Sequence, residues 1–275
     1  MEKFICKAVA SPFDNRDWDA SEIYQTPIQN TTVDLRPSLP AIRNQGRQGT
    51  CAAHTASCMK EWQEGQDYNF QGYMSPQFIY NNRQNQDTDG MFGRDVMRIL
   101  STIGSVEELD YNYGRIEAPG DIDPAYFDRA AVHKIKAYAR VLDINTLKQA
   151  LSINGPCYIA FPVYNNSIRL WKQGIDDALL GGHAMAVVGY TAEGFIIRNT
   201  WGKQWGDKGY CIYDFADWGA HWEIWTTIDA KSYFKPDDSL SDADDSDDEF
   251  EPREEELGRD NLCKKLLTLL RRHIR

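Results

Sequence analysis

The sequence predicts an α+β fold with two lobes, a helical lobe followed by a lobe of antiparallel strands. Helix signals fall in about residues 45–155, and strand signals fall in about residues 156–235. The chain has 275 residues, of which 42% are hydrophobic. Such a chain can bury a large core, either as one domain or as two packed lobes.

Three segments of the first lobe carry the helix signals. Residues 51–62 are rich in small and apolar side chains, and residues 93–100 have a helical pattern that stops near a glycine. Ser75 followed by Pro76 is typical of a helix start, because Ser caps the helix and Pro fits its first position. Residues 111–128 are rich in turn formers and are expected to be irregular.

A short amphipathic helix is predicted over residues 144–151, and the pattern then changes to strands. The runs that follow are short, apolar and rich in β-branched or aromatic residues, with turn formers between them. They cover residues 157–164, 183–190, 194–199, 209–215 and 223–228. We expect these strands to form an antiparallel half-barrel.

Cys51 stands out among the six cysteines as a candidate nucleophile. It follows Gly46 and Gly49, which can form a tight turn, and it opens the predicted helix of residues 51–62. A free thiol has a pKa of about 8.5, only the thiolate attacks, and a helix N-terminus or an imidazolium lowers the pKa. The other cysteines, Cys6, Cys58, Cys157, Cys211 and Cys263, are interpreted as core or incidental thiols.

His183 and Asn199 follow Cys51 by 132 and 148 positions, within the span of about 130–150 expected for papain-type enzymes. Three separated segments, residues 45–56, 181–190 and 197–210, resemble the papain family of cysteine proteases. The likeness covers about residues 33–230 and is to the branch without a pro-segment, as found in bacteria and large DNA viruses. It implies a papain-like fold with a helical lobe that carries the nucleophile.

The resemblance also implies a role for each site residue. His183 would take the proton of Cys51 and later protonate the leaving amine, and Asn199 would hold its ring. Gln45 would donate its amide to the oxyanion beside the backbone N–H of the cysteine. The supporting residues are Trp201, which would cover the His–Asn hydrogen bond, Gly49 and Gly182. The implied reaction is endopeptidase cleavage of a protein or peptide through an acyl-enzyme, with no metal or organic cofactor.

Two other functions stay open at this point. The same residues would serve an isopeptidase or an acyl- or amide-transferring enzyme, which differ in cleft shape rather than in catalytic residues. A catalytically silent binding protein is the third possibility, and the intact catalytic set argues against it. His54 lies one turn along the helix from Cys51, and it is interpreted as structural because a base must face the nucleophile from the opposing wall.

Some positions depart from the family pattern. Gln48 stands where a disulfide-forming cysteine is frequent, Ala52 where an aromatic residue is frequent, and the glycine strip of the cleft is reduced to residues 89–91. The absent cysteine is typical of a reducing compartment. The N-terminus makes a poor signal peptide and no apolar run reaches about 20 residues. We therefore expect a cytoplasmic or virion-associated protein without a transmembrane helix.

The domain boundaries follow from these observations and from charge. Residues 1–32 are an N-terminal extension, and 33–235 the peptidase domain. Residues 236–260 are an acidic linker expected to be disordered, since 237–260 hold thirteen Asp or Glu against two Arg. Residues 261–275 form a basic amphipathic helix with a net charge of +5, which would dock on a partner, on this protein itself or on an anionic membrane. The acidic core is not expected to bind nucleic acid.

Overall fold

The computed structural model describes residues 5–24, 28 and 30–229. The predicted acidic linker (236–260) and the predicted basic helix (Asn261 to Arg275) lie outside the described residues. Helices and a largely antiparallel sheet make up the described chain, so the predicted α+β class is confirmed.

The helical elements follow the predicted order, and most begin where the sequence indicates. They are α1 (Cys51–Tyr68), α2 (Pro76–Asn81), α3 (Gly93–Thr102), α4 (Pro124–Ala130) and α5 (Ile144–Asn154). Ser75 accepts a hydrogen bond from the backbone N–H of Phe78, as expected of an N-cap. Helix α4 corrects the expectation of irregular structure over 111–128, because Asp123 caps the helix and Pro124 takes its first position.

The strands are β1 (Ala8–Val9), β2 (Val33–Asp34), β3 (Met91–Phe92), β4 (Ile135–Arg140), β5 (Cys157–Val163), β6 (Gly181–Tyr190), β7 (Gly194–Arg198), β8 (Tyr210–Asp214) and β9 (Glu223–Asp229). They form one sheet in the order β3-β1-β6-β5-β9-β4, with β2 and β7 also paired to β6 and with β8 paired to β7. Of the pairs between these strands, β1 with β3 is parallel and the others are antiparallel. Strand β6 therefore lies at the centre of the sheet.

Helix α1 packs on the sheet beside α2 and α3, and its main contacts are with these two helices and with β5 and β6. Its first fourteen residues are all buried. Small side chains at Ala52, Ala53 and Ala56 let its first turns approach the sheet closely. Near its other end the buried Lys60 ammonium lies 2.9 Å from carboxylate oxygens of both Glu64 and Asp229. A buried ammonium needs such partners, and this one joins α1 to the end of β9.

Gly155 makes the turn from α5 into β5 against the flank of α1. Its φ is +85°, which favours glycine, and a Cβ there would meet ring carbons of Trp62 at 2.2 and 2.4 Å. Gly219 has a similar φ of +99° but nothing lies within 4 Å of its Cβ position. An alanine at Gly219 would therefore add only backbone strain, whereas an alanine at Gly155 would add strain and a steric clash with α1.

We expect Gly155→Ala to lower the free energy of unfolding by more than about 2 kcal/mol and Gly219→Ala by about 1 kcal/mol. The second change adds only backbone strain, whereas the first also forces Trp62 and α1 to move. Urea unfolding followed by tryptophan fluorescence measures both. Equal losses for the two variants would contradict the close packing of Gly155 on α1.

Candidate active site

Cys51 is the first residue of α1, at the end where the backbone N–H groups have no helical partners. Thr50 precedes it and makes no side-chain cap bond to the helix. Its hydroxyl instead lies 2.7 Å from the phenol oxygen of Tyr113. The positive end of the α1 dipole is therefore directed at the Cys51 sulfur.

His183 lies on β6, and Asn199 directly follows β7, the strand paired beside it. The Nε2 atom of His183 and the Oδ1 atom of Asn199 are 2.7 Å apart. Because a carbonyl oxygen only accepts, the Nε2 atom carries the proton and donates it. The ring of Trp201 stacks on that of His183, with centroids 4.0 Å apart and an interplanar angle of 22°. This stacking shields the hydrogen bond from water.

The first turn of α1 and the middle of β6 bring the cysteine and the histidine together. The backbone N–H of Ala184, the residue after His183, is directed at the Cys51 sulfur. The Nδ1 atom of His183 is buried and has no hydrogen-bond partner. With Nε2 protonated, Nδ1 carries the free lone pair, so it is the atom that can accept the thiol proton.

Gln45 is fully buried in the segment before α1, and four hydrogen bonds shorter than 3 Å hold it. Its backbone N–H donates to the carbonyl of Thr200 at 2.8 Å, and its carbonyl accepts from Tyr113 at 2.7 Å. Its side-chain oxygen accepts from the Thr200 hydroxyl at 2.6 Å, and its Nε2 donates to the Gln48 carbonyl at 2.9 Å. These bonds hold the amide between Thr200 and Gln48, six residues before the cysteine that starts α1.

The N-terminal segment covers this site. We call residues 5–11 the N-terminal strap. Within it, β1 lies between β3 and β6, so that Ala8 is opposite both Met91 and Gly182. The carbonyl oxygen of Ile5 lies 3.5 Å from the Nε2 atom of Gln45. Cys51 and His183 are both 0% exposed. Backbone N–H groups of Lys7 and Ala8 are directed at the Cys51 sulfur, so the strap lies over the nucleophile candidate.

Glycines line the strap and leave room for it. A Cβ at Gly90 would lie 1.6 Å from the Lys7 carbonyl oxygen, and one at Gly182 would lie 2.2 Å from that of Ala8. A Cβ at Gly49 would meet the Lys7 side chain at 2.9 Å. Both Gly46 and Gly49 were predicted to form the turn before Cys51. Gly46 has a positive φ of +60°, which favours glycine in such a turn. Gly49 has no positive φ, and its lack of a side chain leaves space for Lys7 of the strap.

Burial sets the charge state of the covered pair. It raises the pKa of the Cys51 thiol, although backbone N–H groups, those of Lys7 and Ala8 in the strap among them, act in the other direction. Burial also lowers the pKa of His183 to about 4, against the opposing effect of the Asn199 hydrogen bond. Both shifts favour the neutral thiol and the neutral imidazole.

His54 lies beside the site without facing Cys51. Its Nδ1 atom is 3.1 Å from the carbonyl oxygen of Thr50, and its ring meets the edge of Tyr113. Burial lowers its pKa to about 3, so the ring stays neutral. These contacts agree with the structural role proposed for it.

The strap, Tyr113 and Thr200 were not predicted to be part of the site. Tyr113 lies in a loop with no secondary structure, and the strap pairs through only two residues, so neither has a periodic pattern. Thr200 stands directly beside Asn199, and that position was the one available signal.

No group of three or more His, Cys, Asp or Glu side chains that could hold a metal ion occurs within residues 5–24, 28 and 30–229. In the same part of the chain, no helix is both long enough and apolar enough to cross a bilayer. Among the cysteines there, Cys51, Cys58, Cys157 and Cys211 are free thiols.

Comparisons with known proteins agree with this geometry. The family model for papain family cysteine proteases matches residues 29–217. A viral cathepsin of Adoxophyes honmai nucleopolyhedrovirus is 29% identical over 191 residues, which is 66% of this chain and 56% of that protein. A cathepsin L-like proteinase of Phaedon cochleariae is 30% identical over 182 residues, which is 62% of this chain and 55% of that protein.

Among solved structures, the cysteine protease xylellain from Xylella fastidiosa superposes with a TM-score of 0.69 at 25% identity. The match covers 82% of this chain and 97% of that one. The predicted papain-like two-lobed fold is thereby confirmed. The chain spans about 55–63% of the length of the curated relatives it matches.

Arg94 on α3 anchors the chain that continues from the strap. Its guanidinium donates to the Asp17 carboxylate at 2.8 and 2.5 Å and to the Pro12 carbonyl at 2.6 Å. Its backbone N–H donates to the Ser11 hydroxyl at 2.9 Å. Arg98, one turn further along α3, pairs instead with Asp95 of the same helix.

We expect Arg94→Gln to speed the alkylation of Cys51 by iodoacetamide at least tenfold. Hydrogen bonds to a charged group contribute about 1.5–3 kcal/mol, so their loss destabilises the closed position of the strap by that amount. Because about 1.4 kcal/mol is a factor of ten, the open fraction should rise at least tenfold. Mass spectrometry of the Cys51 peptide measures the rate. Arg98→Gln is the matched control and should leave the rate within a factor of two. Equal rates in wild type and Arg94→Gln would show that the strap does not limit access.

Proposed function

The chain belongs to the papain family of cysteine proteases, and we propose that it is an endopeptidase that cleaves peptide bonds through an acyl-enzyme on Cys51. Cys51 is the nucleophile in this proposal, and His183 is the base and acid. Asn199 orients the imidazole, and Gln45 with the Cys51 N–H binds the oxyanion. The described form is a resting form, in which the strap must leave before a peptide binds.

The reaction begins with transfer of the thiol proton to the Nδ1 atom of His183. The thiolate attacks the carbonyl carbon of the peptide bond, and the electron pair of the C=O bond moves to its oxygen. The Gln45 amide and the N–H of Cys51 stabilise that oxyanion. When the C–N bond breaks, His183 returns the proton to the leaving amine, and water activated by the same imidazole then hydrolyses the thioester.

One observation supports the proposal more than any other. His183 is hydrogen-bonded to Asn199 through Nε2 at 2.7 Å, and its buried Nδ1 atom has no hydrogen-bond partner. A histidine with a purely structural role would have hydrogen bonds at both nitrogens, since buried polar atoms rarely stay unpaired. An unpaired basic nitrogen next to the helix end that carries Cys51 is suited to proton transfer.

We expect the 275-residue chain carrying Arg94→Gln to hydrolyse casein labelled with a self-quenching fluorophore. Adding Cys51→Ala to that variant should abolish the hydrolysis. Adding Gln45→Ala should lower kcat/KM by about 10²–10³, as observed when one oxyanion donor is removed. Fluorescence release measures the rate, and mass spectrometry of the products separates hydrolysis from transfer to an added amine.

Two results would contradict this proposal. If Cys51 alkylates rapidly but casein stays intact, the protein is not a general endopeptidase. If the products carry the added amine rather than a new carboxylate, the acyl- or amide-transferring alternative is the correct one.

A further inference from the structure

Negative charge is concentrated on one surface of the helical lobe. We call residues 107–132 the acidic face. Residues 107–129 hold seven Asp or Glu and two Arg, a net charge of −5. Residues 1–236 together hold 28 Asp or Glu and 23 Lys or Arg, which is also a net of −5. The acidic face therefore carries the whole net charge of this part of the chain, and it should attract a basic partner.

Side-chain contacts join the two halves of the acidic face into one surface. The rings of Tyr111 and Tyr126 meet edge to face, with centroids 5.2 Å apart. The guanidinium of Arg129 lies 3.2 Å from the Asp110 carboxylate. Tyr126 and Arg129 belong to α4, so both contacts hold the segment of residues 107–117 against that helix. The carboxylates of the segment and those of α4 therefore lie side by side.

Apolar side chains are also exposed on the acidic face. Leu109 is 88% exposed, Ile116 is 71% exposed and Val132 is 56% exposed. Asp110 follows the first of these and Glu117 follows the second, so carboxylates border the apolar groups. A surface of this composition fits a partner that combines apolar side chains with cations.

Residues 261–275 of this chain have the complementary composition. They carry five Lys or Arg and no acid, a net charge of +5, and six Leu or Ile that would share one side of a helix. The acidic residues 237–260 could pair with the same cations, but they hold only two Leu, one Phe and one Ala to cover the apolar side. The acidic face offers both the charge and the apolar contact.

The described chain ends beside the acidic face. Asp229, the last described residue, pairs with Ile135 across β9 and β4, and Ile135 follows Val132 by three positions. As a random chain, the 31 residues from 230 to 260 would span about 30 Å, and a charged chain extends further. A segment tethered at this distance has an effective concentration on the order of 1 mM, so even a weak contact is mostly occupied.

We propose that residues 261–275 dock on the acidic face of the same chain, with their Leu and Ile side chains against its exposed apolar groups and their cations beside its carboxylates. The contact bears on the candidate active site, because Tyr113 of the face donates to the Gln45 carbonyl at 2.7 Å. Docking fastens the segment that supports Gln45. It requires no catalysis, so it can be tested without a substrate.

Trypsin cleavage of the 275-residue chain tests the contact. Trypsin cuts after Lys and Arg of an accessible, extended chain, so docking slows cleavage at Arg271 and Arg272. Arg253 and Arg259 lie in the acidic residues before the docking segment and provide an internal reference. Mass spectrometry of the first fragments gives the ratio of cleavage at the first pair to cleavage at the second, and the amount of protease cancels.

We expect Leu109→Ser with Ile116→Ser to raise this ratio by about threefold or more, because the apolar contact is lost. Both side chains are exposed, so the core of the helical lobe is unchanged. Asp121→Asn with Asp128→Asn should raise the ratio by a similar factor through the loss of charge, and 0.5 M NaCl should do so in the wild type.

Asp176→Asn with Glu193→Gln is the matched control for charge. It changes the net charge by the same amount at two exposed positions of the β lobe. The ratio should stay within about 1.5-fold of wild type, because exposed charges farther away than the Debye length of about 10 Å are largely screened.

Carbodiimide cross-linking of the wild type locates the contact, since it joins a Lys amine to a carboxylate that touches it. We expect cross-links from Lys264 or Lys265 to carboxylates of residues 107–128 within one chain. Cross-links to residues 237–260 alone, or an unchanged cleavage ratio in both face variants, would overturn the inference. Protection from trypsin that grows with protein concentration would instead indicate a second copy, and protection that requires anionic vesicles would indicate a membrane.

Discussion

The position of Cys51 depends on the packing of α1 against β6. The first turns of the helix carry alanines where larger side chains would hold the two elements apart. The same contact directs the N–H of Ala184 at the sulfur, so Cys51 is tied to the strand that carries His183. The Lys60 ion cluster fixes the helix at its other end. The position of Cys51 thus depends on how helix α1 packs in the core, through its alanines at one end and the Lys60 ion pairs near the other.

The strap acts on chemistry as well as on access. A thiolate and an imidazolium buried together cost more than the neutral pair unless their surroundings compensate for lost hydration. The covered cleft raises the pKa of the thiol and lowers that of the imidazole, so the nucleophile is un-ionised where it is enclosed. When the strap leaves, water returns, while the α1 dipole and the Ala184 N–H remain. In the mechanism we propose, opening the cleft also favours the thiolate.

Much of the site could be predicted because its parts have local signals. Cys51 begins a helix that follows two glycines. His183 lies in an apolar run that predicts a strand, and Asn199 directly follows a second such run. The remainder depends on contacts between distant residues. Ala8 pairs with Met91 and Gly182 through backbone atoms, which leave no pattern in the side chains. The cover over Cys51 has no sequence signal for the same reason, since the strap comes from a segment more than forty residues away.

The most direct test of this account is the protonation of His183 in the resting wild-type protein, read from its imidazole ¹⁵N shifts between pH 5 and 8. The account predicts a neutral ring protonated at Nε2 throughout this range, because the pKa is lowered to about 4 under the strap. An imidazolium at neutral pH would contradict it, since the thiolate pair would then exist in the covered cleft.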